Sequence, residues 1–403
     1  MSLLAAGFYR EEDMATLDGT EVLSIIEEIC AFGPRWMGSR GSELAMNYIV
    51  DQFRVSGLVS ELQSFPYLSY VPQSAALSVA GRNVSCEPVA LSCSTSKPLT
   101  APLVFAGQCS RKELAELESS GIRLKDSILV SNNLRSFVAY PLAQELGAQG
   151  LICLTDLEGD TIRCGCARLD RGTGTIPAVA IGGNDGRWIS QELDSGNSLI
   201  ATIETHGIIE SAVGYNVMGY KIGAGNRKIL VTAHYDSFWN GVHAMDNAAG
   251  TATVIALSRI LASVSDVCLE FVVFGGEELG LWGSSGYVEK AFKHAEDIHA
   301  IVNLDTFGSN QSKLEIGVTE DLLGFCRDVA AKAGIPIDCW NTPPRAASDQ
   351  NPFVERGVSA IWLANCGADK RYHTPLDVPD QMDSEKLGVV LTLAEELVRQ
   401  LAL

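Results

Sequence analysis

Histidine is scarce in this chain, six in 403 residues. Two of the six stand where apolar, strand-like segments end. His234 closes KILVTAH, and His373 follows SAIWLAN after a short loop. The others, His206, His243, His294 and His299, do not end strands in this way. Carboxylates occupy comparable points. Asp236 lies two residues after His234, Asp246 precedes the next helical segment, Glu277 and Glu278 follow CLEFVVFGG at once, and Asp305 ends HAIVNLD. Imidazole nitrogen and carboxylate oxygen are the donors that zinc prefers in catalytic sites. Two histidines and three carboxylates hold two metals only if one carboxylate bridges, and a pair about 3.5–4 Å apart can share a hydroxide and polarise a carbonyl. A single acid at a strand end is ordinarily a cap or a loop residue. The adjacent Glu277 and Glu278 are harder to explain so, because neighbouring carboxylates repel unless cations or protons neutralise them.

Such positions require a sheet that delivers several strand ends to one edge. From residue 215 onward, NVMGYKIG, KILVTAHYDS, CLEFVVFGG, HAIVNLDT, KLEIGV and SAIWLAN read as strands, with helices near 247–262, 284–292, 319–333 and 383–402. This alternation predicts an α/β fold, a mostly parallel mixed sheet covered by helices on both faces. Open sheets of this kind bind ligands outside the carboxyl ends of their strands. Nearer the N-terminus, EVLSIIEEICAFG and SELAMNYIVDQFRVSGL have helical spacing, the second with Ser42 as N-cap and Gly57 as C-cap. VSELQSFPYLSYV then reads as a strand.

Residues 76–205 have another texture: short strands APLVFAG, SILVS, GLICLT and IPAVAIG, with one clear helix in VAYPLAQELGAQG. The length and this break imply two domains, residues 1–75 with 206–403 carrying the site and 76–205 inserted. No histidine precedes residue 206, so the insert is expected to supply no metal ligand.

The formal charge of −19 is a matter of solubility first. No basic stripe accompanies it, which argues against a nucleic-acid partner. No segment approaches the roughly 20 apolar residues of a membrane span, and MSLLAAGFYREEDMATLDG turns acidic too early for a secretory leader. Eleven scattered cysteines read as reduced, mostly buried thiols, which favours the cytoplasm. Cys164 and Cys166 lack the second pair or nearby histidine of a four-ligand site.

HYDS, AMDNAAG, FGGEELGLWGSSGYV, NLDTFG, SDQNPF and YHTPLD, in that order, resemble the co-catalytic di-zinc exopeptidases of the bacterial leucyl aminopeptidase and glutamate carboxypeptidase type, peptidase family M28. The N-terminal helices with GPRWMGSRGS fit the same family, and residues 76–205 resemble a protease-associated domain in pattern and order. The resemblance implies a zinc exopeptidase fold of the phosphorylase/hydrolase-like kind, a peptide substrate and two Zn2+ per chain. It makes His234 and Asp305 ligands of one zinc, Glu278 and His373 ligands of the other, and Asp246 the bridge. Glu277 then takes a proton from the metal-bound water. Asp236 orients the His234 imidazole. Tyr372 helps stabilise the oxyanion, or is a packed aromatic beside a ligand. Where the family often has SDH, this chain has Ser348-Asp349-Gln350, which bears on the substrate pocket rather than on a metal.

Aminopeptidase polarity is expected, since carboxylates beside the metals welcome an α-ammonium. A carboxypeptidase would need cations, for which Arg345, Lys370 and Arg371 are available. A glutaminyl cyclase and a non-enzymatic receptor or scaffold are the remaining alternatives. The oligomeric state is not legible.

Overall fold

The alternation of side chains along Lys228–His234 explains the architecture. Ile229, Val231 and Ala233 pack into one apolar cluster, and Leu230 packs into another on the opposite face. Cys268–Phe274 divides the same way, with Leu269, Phe271 and Val273 on one side and Val272 and Phe274 on the other. A strand buried on both faces belongs inside a helix-covered sheet. In this computed structural model, residues 18–167, 170–220, 228–262, 268–293, 298–367 and 369–403 are described. The opening segment on which the leader expectation rests, and His294, lie outside them.

Lys228–His234 is central, flanked in parallel by Cys268–Phe274 and Ile298–Leu304. Ser359–Asn365 continues the parallel set, and Leu314–Val318 runs antiparallel beside it. The sheet is therefore mixed and mostly parallel here. Helices Gly19–Cys30, Ala249–Ile260 and Ser384–Leu401 cover one face, and Trp282–Lys293 with Asn351–Val354 the other. Four parallel strands end at the same edge, the one that carries the site.

Two long strands, Val59–Val79 and Ile200–Tyr220, pair antiparallel from Val59↔Tyr220 to Val79↔Ala201, with an irregularity between Pro72 and Ser74. One end of Ile200–Tyr220 borders Cys268–Phe274, and the other borders Leu99–Phe105. Ile128–Ser131, Gly150–Leu154 and Ala178–Ile181 follow in parallel, and Cys86–Pro88 closes the edge. This lobe has apolar clusters of its own on both sides of its strands, with Leu129 and Leu151 in one and Ile128, Val130 and Ile152 in the other. The sequence boundaries 75/76 and 205/206 fall inside the two long strands, which run on without a break in the chain. Besides Ser136–Glu145, the lobe carries Arg111–Ser119 and Gly183–Asp194.

Two local expectations differ. The second N-terminal helix is Arg40–Val55 and its N-cap is Ser39, not Ser42, because the Ser39 hydroxyl accepts the Ser42 amide at 3.2 Å. Gly57 sits one residue beyond the cap Ser56, at φ 76°, where glycine is favoured. The thiols are not all reduced: Cys339 and Cys366 are bonded, with Cα atoms 6.2 Å apart, while the other cysteines form no disulfide among the described residues. Cys339 registers with Glu315, and the Cys366 amide bonds the Lys313 carbonyl, so both sit at one end of Leu314–Val318. No described helix is long and apolar enough to cross a membrane.

Candidate metal centre

Asp246 is the hub of the strand-end cluster. Its Oδ1 lies 3.2 Å from His234 Nε2, and its Oδ2 lies 2.9 Å from His373 Nε2. His234 Nε2 is also 3.3 Å from Asp305 Oδ1, and His373 Nε2 is 3.2 Å from Glu278 Oε2. His234, Asp246 and Asp305 thus offer donor atoms within 4.8 Å of one another, and so do Asp246, Glu278 and His373. All five residues are buried.

Three of the donors are held from behind. The His234 Nδ1 faces the backbone carbonyl of Asp236 at 3.1 Å, which leaves Nε2 turned to the cluster. Asp377 accepts the Met245 amide at 2.7 Å and the Asp246 amide at 3.1 Å, fixing the loop that presents the shared carboxylate. His373 has φ 58°, a left-handed conformation unusual for a side-chain-bearing residue. Its carbonyl accepts the Cys164 amide at 3.0 Å and the Asn240 side chain at 3.1 Å. Its ring stacks on Tyr372 with centroids 3.6 Å apart.

Asp236 has two sets of neighbours. Its carboxylate stands 3.7 Å from His234 Nδ1, and it also accepts the amides of Glu277 at 3.2 Å and Glu278 at 3.3 Å. The backbone carbonyl faces the imidazole, while the side chain holds the two-glutamate turn. Glu277 belongs to neither donor set. It lines a narrow cleft with Glu278, His373, Tyr372 and, from the lobe, Arg135 and Phe137.

The electrostatics are those of a site short of positive charge. Burial pushes the Glu278 carboxyl up to about 7, and burial with the neighbouring carboxylates pushes Glu277 well above the usual range. Burial would lower the imidazoles, but Glu278 and Asp246 raise His373 to about 9, and Glu277 and Asp305 raise His234 well above its ordinary value. Asp246, between the two rings, is lowered despite its burial. His373 Nε2 lies close to Asp246 and Glu278 but makes no well-directed hydrogen bond to either, and Glu278 Oε1 and both carboxylate oxygens of Asp349 are buried without a hydrogen-bond partner. Unpartnered buried groups of this kind are costly. Metal cations among these nitrogen and oxygen donors would satisfy the Glu278 and His373 atoms and neutralise the surplus of carboxylates, so the residues present fit such a group.

Several supporting residues were not singled out from sequence. Arg35, in the GPRW segment, is fully buried and donates to the carbonyls of Tyr235 at 2.8 Å and His243 at 3.0 Å. Arg163 comes from the lobe, bonds the Lys370 carbonyl at 2.8 Å, and lies 5.9 Å from the Tyr372 ring centroid. Asp377 closes the YHTPLD motif, and its order in the motif was its only sequence signal. Gln350 is buried, accepting from Asn303 at 3.0 Å and donating to the Arg345 carbonyl at 2.8 Å. Cys164 and Cys166 are buried and outside the disulfide. Burial pushes Cys164 well above its ordinary value, and its part in the site is the amide on His373.

A parallel sheet edge carrying two histidine–carboxylate sets joined by one aspartate is a donor array suited to metal ions. Residues 216–398 match the family model Peptidase family M28. Over 378 residues the chain is 28% identical to Aminopeptidase YwaD of Bacillus subtilis (strain 168), covering 89% of this chain and 79% of that protein. It is 26% identical over 268 residues to the Probable lipoprotein aminopeptidase LpqL of Mycobacterium tuberculosis, covering 64% of this chain and 51% of that one. Its structure is similar to that of BSAP, a zinc aminopeptidase from Bacillus subtilis, with TM-score 0.73, 26% identity and 95% of each chain covered. Residues 216–398 therefore resemble peptidase family M28, and the chain is a peptide hydrolase.

Proposed function

We propose that this chain is a zinc-dependent aminopeptidase holding two zinc ions. His234 and Asp305 would bind one, Glu278 and His373 the other, and Asp246 both. The observation that carries the reading is the position of Asp246, with one carboxylate oxygen toward each histidine. Zinc bound there supplies Lewis acidity, which lowers the pKa of water toward 7 and polarises a carbonyl. Glu277 stands outside both donor sets and borders the cleft, so it is free to hold a proton. It takes that proton from the attacking water and passes it to the leaving amine. Burial and the surrounding carboxylates keep the Tyr372 phenol protonated. It donates to the substrate carbonyl oxygen as negative charge builds there. Asp236 keeps Glu277 and Glu278 in register through their amides.

The similarity to proteins named aminopeptidases supports the polarity. So does the acidic interior, which suits a substrate α-ammonium. The three cations that the sequence offers to a carboxypeptidase have other partners. Arg345 bonds both oxygens of the buried Glu315, Arg371 bonds Asp369, and Lys370 lies 3.7 Å from Asp156. Residues 76–205 act as a protease-associated-type lobe that borders the cleft without supplying a metal ligand. The test compares a free-amino dipeptide with its N-acetylated form and its C-terminal amide. Loss of cleavage on acetylation, with the amide still cut, is expected. Cleavage of the acetylated peptide but not the amide would reverse the polarity.

A further inference from the structure

Beyond Tyr372 and Asp305, the cleft adjoins a pocket of about 140 Å3. The two share Leu134, Arg135, Phe137, Ala347 and Tyr372 as walls. Among the described residues, three arginines line this pocket, and they are not equivalent. Arg163 is 2.6 Å from Asp156 and bonds the Lys370 carbonyl. Arg345 bonds the buried Glu315. The side chain of Arg135, exposed at the rim, has no ion pair or hydrogen bond among the described residues.

We infer that Arg135, on the lobe, is a specificity-determining residue that binds a carboxylate of the peptide substrate. The inference rests on the peptidase reading above and adds a substrate class to it: peptides whose carboxylate lies close to the bond being cut. The walls beside Arg135 are apolar, from Leu134, Phe137 and Trp362, while the cleft next to it carries Glu277 and Glu278. A substrate with an ammonium at one end and a carboxylate a few atoms away would match this polarity at both ends. Burial lowers the Arg345 pKa and the nearby Arg135 guanidinium lowers it further, a like-charge proximity that a visiting anion would relieve. The guanidinium fork suits a planar carboxylate, which it can bind through two parallel N–H groups. The carboxylate can come from the C-terminus of a very short peptide or from an acidic side chain of the terminal residue.

Two substrate pairs separate these sources: Leu-Gly against Leu-Gly-amide, and Glu-p-nitroanilide against Gln-p-nitroanilide. KM is measured for all four with the zinc-loaded wild type, Arg135→Gln and Arg135→Lys. In the wild type, the carboxylate member of at least one pair is expected to show a KM about fivefold lower, the scale of one solvent-facing ion pair. That ratio should fall toward one in Arg135→Gln and largely return in Arg135→Lys. The pair that shows it identifies the carboxylate. Calorimetric titration of the chelator-treated protein with the same compounds reads the same ratio as a Kd, without turnover. Ratios near one in the wild type, or ratios unchanged in Arg135→Gln, overturn the inference and leave the proposed function standing. Hydrolysis of none of the four removes the proposed function and the inference with it.

Discussion

Oδ1 of Asp236 accepts the backbone N–H of Glu277 at 3.2 Å, across 41 positions of sequence. The other oxygen accepts Glu278, so one carboxylate fixes the turn that carries both glutamates. Asparagine in its place has one acceptor and one donor group, and the donor would face an N–H. Asp236→Asn should therefore lower kcat by about 10–100-fold, the usual scale for a group that orients ligands. The His234 contact, made by the backbone carbonyl, should survive. Steady-state kinetics with metal analysis checks this. A variant of wild-type kcat would show that the carboxylate does not position the turn.

Glu277 and Asp246 should fail in different ways. Glu277→Gln keeps the size of the side chain but cannot take a proton, so metal content should persist while kcat falls by about 10²–10⁴-fold. Asp246→Ala removes an oxygen from both donor sets, and elemental analysis should show metal loss rather than a purely kinetic defect. Wild-type protein should contain two zinc ions per chain, released by chelator together with activity. One ion per chain at full activity would return the glutaminyl cyclase alternative to consideration.

The fold was legible where periodicity was strong. The central strands are apolar on both faces, and each ends on a residue of distinctive chemistry, so sheet, edge and donor set emerged together. Asp246 was legible from its place before a helix and from its motif, but not the contact that places it, from Asp377, which spans 131 positions. Arg135 and Arg163 were invisible for the same reason: their importance arises where the lobe meets the cleft, and no local pattern encodes that meeting. Two lobe helices were also missed, although Ser110 and Glu113 form a capping box that marks the start of Arg111–Ser119. Short, polar helices show little apolar periodicity, and the cap was the available signal.

Arg35 offers a test of how the N-terminal segment supports the site. Its buried guanidinium donates to the carbonyls of Tyr235, Val242 and His243, on either side of the metal-facing loop. Arg35→Met fills the space but leaves these acceptors unpaired, each costing about 1–3 kcal/mol. A clear drop in melting temperature is expected, with weaker zinc retention because the loop leading to Asp246 loosens. A variant as stable as the wild type would mean that water replaces the guanidinium at little cost.

The metal-free protein should lose stability as pH rises from about 5 to 9, the reverse of ordinary acid denaturation. Burial raises Glu278 and Asp349 to about 7 in the folded chain, from ordinary values of 4.5 and 3.8. Between those values the folded state binds more protons than the unfolded one, so stability falls with each step upward in pH. It is fully present below the unfolded values and gone above about 7, on the order of 3 kcal/mol for each carboxylate. His373, raised to about 9, extends the decline: its contribution is complete below 6.5 and lost as pH passes 9. Asp246 acts oppositely, but only at acid pH, because its carboxyl is lowered. Zinc should abolish or invert this slope, since the metal takes the place of the protons and binds deprotonated ligands more tightly as pH rises. Melting temperatures of chelator-treated and zinc-loaded protein across this range test the argument. A metal-free protein whose melting temperature is flat or rising from pH 5 to 9 would show that these carboxylates are not the strained groups their burial implies.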